Sequence, residues 1–205
     1  MTWSNKIICL AVAGSPRRGG NTELLARRAL EGAVEAGAQG EIICLRDYHY
    51  APCAACDGCF KEGRCVVRDD ASLIFEKILA ADRVIFAAPI FSMGLCAQAK
   101  MLIDRSQQFW ACKYVLHRPV IEDEEKRPER RGIFLSAAGA GLPGVFDGAL
   151  RVTGYFFKIL DIKMDGAYCY PKVDRRGDIL KLPEAITEVF EAGRKLASRR
   201  SQGHY

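Results

Sequence analysis

The 205-residue sequence predicts an α/β fold, in which one doubly wound parallel sheet of five strands is covered by helices on both faces. Three observations predict it. Short apolar runs of strand length alternate along the chain with amphipathic stretches at helical spacing. The first and third runs, including Ile7–Ala13 and Val84–Ile90, are continuously apolar, as strands buried on both faces must be. No internal repeat and no Ser/Pro-rich linker divides the pattern, so 1–205 reads as a single domain.

Taken in order, Lys6–Ala13 reads as the first buried strand, and Asn21–Ala36 as a helix with Leu24, Leu25, Ala29 and Val34 available to an inner face. Glu41–Leu45 is the second strand. Asp70–Ala81 is the next helix, with Leu73, Ile74, Ile78 and Leu79 at helical spacing. Arg83–Ala88 is the third strand, stopped at Pro89, which has no N–H to give a ladder. A helix from Ala97 to Phe109 follows, then Arg131–Ala138 as the fourth strand, Gly144–Leu160 as helix and Asp161–Tyr170 as the fifth strand. Pro183–Arg199 closes the chain as a helix leading into a basic tail. Five such strands suit the flavodoxin-like order 2-1-3-4-5. Two segments stand outside the alternation: a cysteine-rich loop at 46–69, and Ala111–Arg130 with the charge run Glu122-Asp123-Glu124-Glu125-Lys126-Arg127, read as a mobile loop.

Composition narrows the function classes. With 49% hydrophobic and 27% charged residues, the chain is neither disordered nor membrane-spanning in character. Met1-Thr2-Trp3-Ser4-Asn5 is no basic-then-apolar leader, so the expected location is cytoplasmic. The net charge of +5 is modest, and Arg194, Lys195, Arg199 and Arg200 read as a solvated helix face and tail rather than a nucleic-acid stripe.

In an open parallel sheet, ligands bind beyond the carboxyl ends of the strands, where strand order reverses. Three small-residue loops converge there. The first is Gly14-Ser15-Pro16-Arg17-Arg18-Gly19-Gly20-Asn21-Thr22, which follows a strand and opens a helix. Its small residues admit a ligand close to the backbone, the helix N-terminus offers unpaired N–H groups to an anion, and Arg17 or Arg18 can add charge. It is neither the dinucleotide fingerprint nor a P-loop, and it fits one terminal phosphate better than a pyrophosphate. The second is Pro89-Ile90-Phe91-Ser92-Met93-Gly94, able to present backbone N–H groups and apolar surface to a flat heteroaromatic ring. The third is Ser136-Ala137-Ala138-Gly139-Ala140-Gly141-Leu142-Pro143-Gly144. Together they make a flat-ring nucleotide the leading ligand. Lys100 with Asp104 and Arg105 reads equally as an ion pair or as ligand contacts. His49, His117 and His204 form no catalytic arrangement, and each reads as structural or exposed.

Nine cysteines is many for such a chain. Cys9, Cys44, Cys96, Cys112 and Cys169 sit singly in apolar contexts and read as packed thiols. The other four spell Cys53-x2-Cys56-x2-Cys59-x5-Cys65. That density suits [4Fe–4S] ligation. A four-thiolate zinc site is the rival, though zinc more often takes two pairs on a longer arm, and free or redox-active thiols are the third reading.

Gly14-Ser15-Pro16-Arg17 leading to Asn21-Thr22, the four-cysteine loop ending in Asp69-Asp70, Ala88-Pro89-Ile90-Phe91, and Lys100 with Asp104-Arg105 occur in the order seen in the NADPH-dependent FMN reductase family. Over residues 6 to 170 the chain resembles, more narrowly, the iron–sulfur flavoproteins of that family. The resemblance implies a flavodoxin-like domain holding FMN. By motif match, Ser15, Arg17, Asn21 and Thr22 would take the phosphate. Pro89, Ile90, Phe91, Ser92, Met93 and Gly94 would border the isoalloxazine, with Ser136, Ala137 and Gly139 closing the other side. Cys53, Cys56, Cys59 and Cys65 would be the ligands of a [4Fe–4S] cluster. Phe91 stands where many relatives have Tyr, which keeps a stacking surface and removes a hydroxyl.

The reading is an FMN-dependent oxidoreductase that passes electrons between a donor, NAD(P)H or ferredoxin, and a small-molecule or protein acceptor, with the cluster as a relay to FMN. The alternatives are an NAD(P)H-dependent FMN or quinone reductase without a cluster, and a non-catalytic flavin- or zinc-binding regulatory module. A homodimer or homotetramer is implied by the resemblance; neither nucleic acid nor membrane is expected as a partner.

Overall fold

The computed structural model describes residues 6–122 and 130–198. Most of the charge run, from Asp123 on, lies outside them, as do Met1 to Asn5, Arg199, Arg200 and His204.

Strands β1 (Ile8–Ala13), β2 (Gln39–Cys44) and β3 (Arg83–Ala87) join β6 (Arg131–Ala137) and β7 (Lys163–Tyr170) in one parallel sheet of order β2-β1-β3-β6-β7. Counted along this sheet alone, that is the expected 2-1-3-4-5. β1 pairs on one side with β2, Val12 opposite Ile43, and on the other with β3, Val12 opposite Phe86. The strands are parallel, so their loops leave at one edge, and because strand order reverses between β1 and β3 the loops after these two strands diverge and leave a crevice between them.

Both faces are buried, and strand periodicity divides the core in two. Leu10, Val12, Phe86 and Phe134 face one layer, with helices α3 (Ala71–Ala80), α4 (Ala97–Arg105) and α6 (Asp147–Ile159) on that side. Cys9, Ala11, Ile85 and Ile133 face the other, under α1 (Asn21–Glu35) and α7 (Pro183–Ser198). The inner face of α1 is built from small residues, Ala26, Ala29, Gly32 and Ala33, because α7 crosses it at backbone contact distance. Val34 and Leu73, expected on inner faces, are about half exposed for that reason of geometry: each lies beyond the arc its helix turns inward. The fully buried Arg130 donates to the carbonyls of Ile78, Ala81 and Leu160 and so satisfies chain ends that would otherwise be orphaned. Burial lowers its pKa to about 10, which leaves it charged at neutral pH.

Three details depart from the sequence expectation. A short hairpin, β4 (Ile90–Phe91) with β5 (Gly94–Leu95), follows β3. The helix expected over 97–109 is two helices, α4 and α5 (Gln107–Tyr114), which meet at Ser106, whose hydroxyl donates to Ile103 O. The cysteine-rich segment contains one helical turn, α2 (Cys59–Glu62). Among the described residues no helix is long and apolar enough to cross a membrane.

Candidate functional site

The segments leaving β1 and β3 form facing walls of a cleft of about 440 Å3 at the carboxyl edge of the sheet. α1 starts in this cleft. Its N-cap, Gly20, supplies no side-chain cap, so the leading N–H groups at Asn21 and Thr22 have no partner within the helix and carry its positive end. Gly20 keeps this approach open, because a Cβ would crowd Ser15 Oγ at 2.8 Å and Arg17 O at 3.0 Å. Thr22 is 1% exposed, and among the described residues its hydroxyl has no hydrogen-bond partner. A buried, unsatisfied hydroxyl beside unpaired N–H groups is costly unless an acceptor arrives from outside. An anion at this end of the cleft would supply such an acceptor.

Ser15 lies alongside, its Oγ accepting from Arg17 N at 3.1 Å. Arg17 lines the cleft and donates through Nη1 to Asp174 O, whereas Arg18 turns away to pair with Asp47 at 2.7 Å. Of the two arginines, Arg17 is therefore the one available. Behind the loop, Glu23 accepts from Gly19 N, Arg27 and Arg46. Burial acts to raise its pKa, but these bonds outweigh that and hold it below the usual carboxylate range. Sequence reasoning missed Glu23, whose partners are visible only once α1 and Arg46 meet.

Pro89, Ile90 and Phe91 line the cleft from the β3 side, and Ala137 and Gly139 from the β6 side. Four predicted contacts fall elsewhere. Ser92 and Met93 form the tip of the β4–β5 hairpin with φ of 49° and 65°, and they and Gly94 do not line the cleft. Ser136 is fully buried and donates to Ala88 O at 2.8 Å, tying the exits of β3 and β6 together. Asn21 does reach the cleft, but its amide is occupied: Nδ2 donates to Arg175 O and Oδ1 accepts from Ile179 N. The loop it holds supplies a wall that sequence reasoning also missed, Val173 and Asp174.

The four clustered cysteines line a second cavity of about 400 Å3 together with Arg105 and Gln108. Arg105 is 2% exposed; it pairs with both Asp69 oxygens and donates to Ala51 O and Val67 O, which lashes the cysteine loop to α4. Its Nε has no partner, and the Cys65 thiol lies beside the guanidinium. Burial raises the Cys59 thiol, with the three neighbouring thiols adding to the effect. Among the described residues no three ligating side chains close on one point as a single metal ion requires. The four thiols line one cavity without converging on one point, so the arrangement favours neither the zinc nor the cluster expectation. Lys100 and Asp104 are an exposed helical ion pair, apart from both cavities. The singly placed Cys9, Cys44 and Cys96 are buried, and Cys112 and Cys169 half-buried.

The sequence pattern of NADPH-dependent FMN reductases matches residues 7–161, from β1 through α6. The chain belongs to that family. An iron-sulfur flavoprotein of Methanocaldococcus jannaschii is 43% identical over 98 residues, 48% of this chain and 51% of that protein. The match thus spans about half the length of that curated relative. A Bacillus subtilis protein, provisionally named as an NAD(P)H-dependent FMN-containing oxidoreductase, is 28% identical over 180 residues, 86% of this chain and 91% of its own. Among solved structures, an NAD(P)H:quinone oxidoreductase from Methanothermobacter marburgensis superposes with a TM-score of 0.73 over 97% of this chain and 100% of its own, at 19% identity. At that identity the likeness establishes the fold. The matched segment contains every residue that lines the cleft except Val173 and Asp174.

Proposed function

We propose that this chain is an FMN-dependent, NAD(P)H-linked oxidoreductase of a small-molecule acceptor. The observation that carries the reading is the orphaned Thr22 hydroxyl beside the uncapped N-terminus of α1. In this reading Ser15, Thr22, the N–H groups of Asn21 and Thr22, and Arg17 hold the phosphate, with Asn21 acting through its backbone. Pro89, Ile90 and Phe91 border one side of the flavin, and Ala137 and Gly139 the other. Bound flavin would supply the electron-accepting ring; the chain positions it and limits water at one face. Half-exposed Phe91 and Met93 beside the cleft support a second copy of the chain covering it. Nine free cysteines support a reducing, cytoplasmic setting, and the single five-stranded sheet supports one domain over 1–205.

Thr22→Val tests the phosphate end with two readouts of opposite sign. The variant is expected to bind FMN roughly tenfold more weakly by fluorescence quenching, because one hydrogen bond to a charged group is lost. Its unliganded stability is expected to be unchanged or higher, since no bond is broken in the free protein. Unchanged affinity would refute the assignment of this end of the cleft.

A second reading is favoured by the named iron-sulfur relative, with the four thiols around one cavity as candidate ligands. In it Cys53, Cys56, Cys59 and Cys65 hold a [4Fe–4S] cluster, which would supply one-electron transfer toward the flavin and toward a donor such as ferredoxin. Anaerobic purification with iron and sulfide analysis separates the two. About four irons and four sulfides per chain, lost in Cys56→Ser, would establish the cluster. Flavin absorbance without iron would leave the first reading alone.

A further inference from the structure

The loop after β7 brings an acidic side chain to the cleft that no motif assigns. Asp174 lies between the two ends of the site. On one side Arg17, at the anion end, donates to the Asp174 carbonyl at 3.2 Å. On the other, the Asp174 carboxylate crowds Gly139, at the ring-bordering end, so closely that a Cβ on Gly139 would stand 2.9 Å from Oδ1. The loop is held there by bonds that cross most of the chain. Asn21 clamps Arg175 O at 2.9 Å and Ile179 N at 3.3 Å, and Val173 N donates to Ala138 O at 2.9 Å. These bonds all use the Asp174 backbone or its neighbours. Asp174 is exposed at the rim of the cleft, and among the described residues no donor engages its carboxylate, which is therefore open to a ligand.

A carboxylate accepts hydrogen bonds and donates none at neutral pH. It would repel a phosphate and has nothing to offer a ring carbonyl. What it can satisfy is an O–H or N–H donor; a flavin mononucleotide offers a single ring N–H and, between phosphate and ring, a chain of hydroxyls, and only the chain lies between the two ends of the site.

Building on the FMN reading, we propose that Asp174 is a specificity residue that accepts hydrogen bonds from the sugar-alcohol chain of the flavin, and that Asn21 is the positioning residue that holds it over the cleft. The two ends of the site recognise the phosphate and the ring; Asp174 recognises the length and hydroxylation of what joins them.

The test is equilibrium binding of three flavins to the purified chain, followed by fluorescence quenching: FMN, riboflavin, which lacks the phosphate, and lumiflavin, which lacks the chain. Asp174→Ala is expected to weaken FMN and riboflavin roughly tenfold and to leave lumiflavin unchanged, since hydrogen bonds to a charged group are the strong ones. Asp174→Asn, which keeps an acceptor oxygen, is expected to fall between. Asn21→Ala is expected to show the same preference for losing riboflavin over lumiflavin, because the loop is no longer clamped. Equal weakening of all three flavins by Asp174→Ala would overturn the assignment and make the residue part of the wall only. Tighter FMN binding would also overturn it and make the residue a source of repulsion. If wild-type protein binds none of the three, the FMN reading itself falls, and this assignment with it.

Discussion

Gly193→Val is expected to destabilise the protein by about 3 kcal/mol or more, the upper end of the usual cost of overpacking. The two helices on the α1 face of the sheet cross through paired glycines. A Cβ at Gly193 would lie 1.8 Å from Ala29 O, and one at Gly32 would lie 2.0 Å from Phe190 O. Both obstacles are backbone atoms inside helices, so no rotamer change relieves them and α1 and α7 must move apart. Separation opens the layer formed by Leu25, Ala29, Val189 and Leu196 against Ile85 and Ile133. It also tilts the N-terminus of α1, which carries Asn21 and Thr22, so FMN affinity is expected to fall with stability. Gly154→Ala is the control: nothing lies within 4 Å of its Cβ position in α6, and the change is expected to add about 0.5–1 kcal/mol. Urea unfolding followed by circular dichroism checks both signs. A Gly193→Val midpoint equal to that of the wild type would show that the helices do not cross as closely as described.

That crossing also marks where the sequence stops being legible. β1 and β3 are readable because strands buried on both faces leave no polar position to confuse the pattern. Their topology then locates the sheet edge, where Ser15, Arg17, Thr22, Pro89, Ile90, Phe91, Ala137 and Gly139, singled out by the family resemblance, line one cleft. The inner face of α1 is harder, because an apolar-periodicity reading favours Leu24 and Val34, while close helix contact selects Ala26, Ala29 and Gly32. The inward direction of Ser136 was readable from strand alternation, since Leu135 and Ala137 both face the α1 layer and its own side chain must point the other way. Asp174 was not readable at all. Pro171 to Gly177 looks like an ordinary polar turn, and what brings it to the cleft is Arg17 and Asn21, more than 150 residues earlier. The same holds for the cysteine loop. Spacing gathers the four thiols, but the residue that fixes the loop to the fold, Arg105, finds Asp69 only through tertiary structure.

Arg105→Ala is accordingly expected to cost about 3–5 kcal/mol, the price of removing one partner from a buried ion pair. The side chains of Arg105 and Asp69 are 2% and 13% exposed, with contacts of 2.6 and 3.1 Å to the two carboxylate oxygens. Without the guanidinium, Asp69 keeps only the N–H groups of Ala51 and Ala71, and the carbonyls of Ala51 and Val67 lose their donor. Arg105→Lys restores a charge but not the fork that meets both oxygens, so it should recover only part of the loss. The pH dependence gives an independent check. In the wild type, burial acts to raise the Asp69 pKa, but the bonds from Arg105 and the two N–H groups outweigh it, so the folded value lies below the ordinary 3.8. A depressed carboxylate pKa adds stability that is fully present above the unfolded value and is lost as pH falls through the folded one. Wild-type stability should therefore drop as the pH is lowered past about 4, and the Arg105→Ala protein should lack that part of the slope. Lys100→Ala, one turn away in an exposed pair, should change stability by less than about 0.5 kcal/mol. Thiol labelling separates a local from a global effect. If Arg105 anchors the loop, the half-buried Cys53, Cys59 and Cys65 should react faster in Arg105→Ala at denaturant concentrations where buried Cys9 and Cys96 remain protected, with exposed Cys56 reacting fast in both proteins. Equal rates at those three and the two buried thiols would mean that the pair supports the whole sheet rather than the cysteine loop, and wild-type rates at the three would mean that it supports neither.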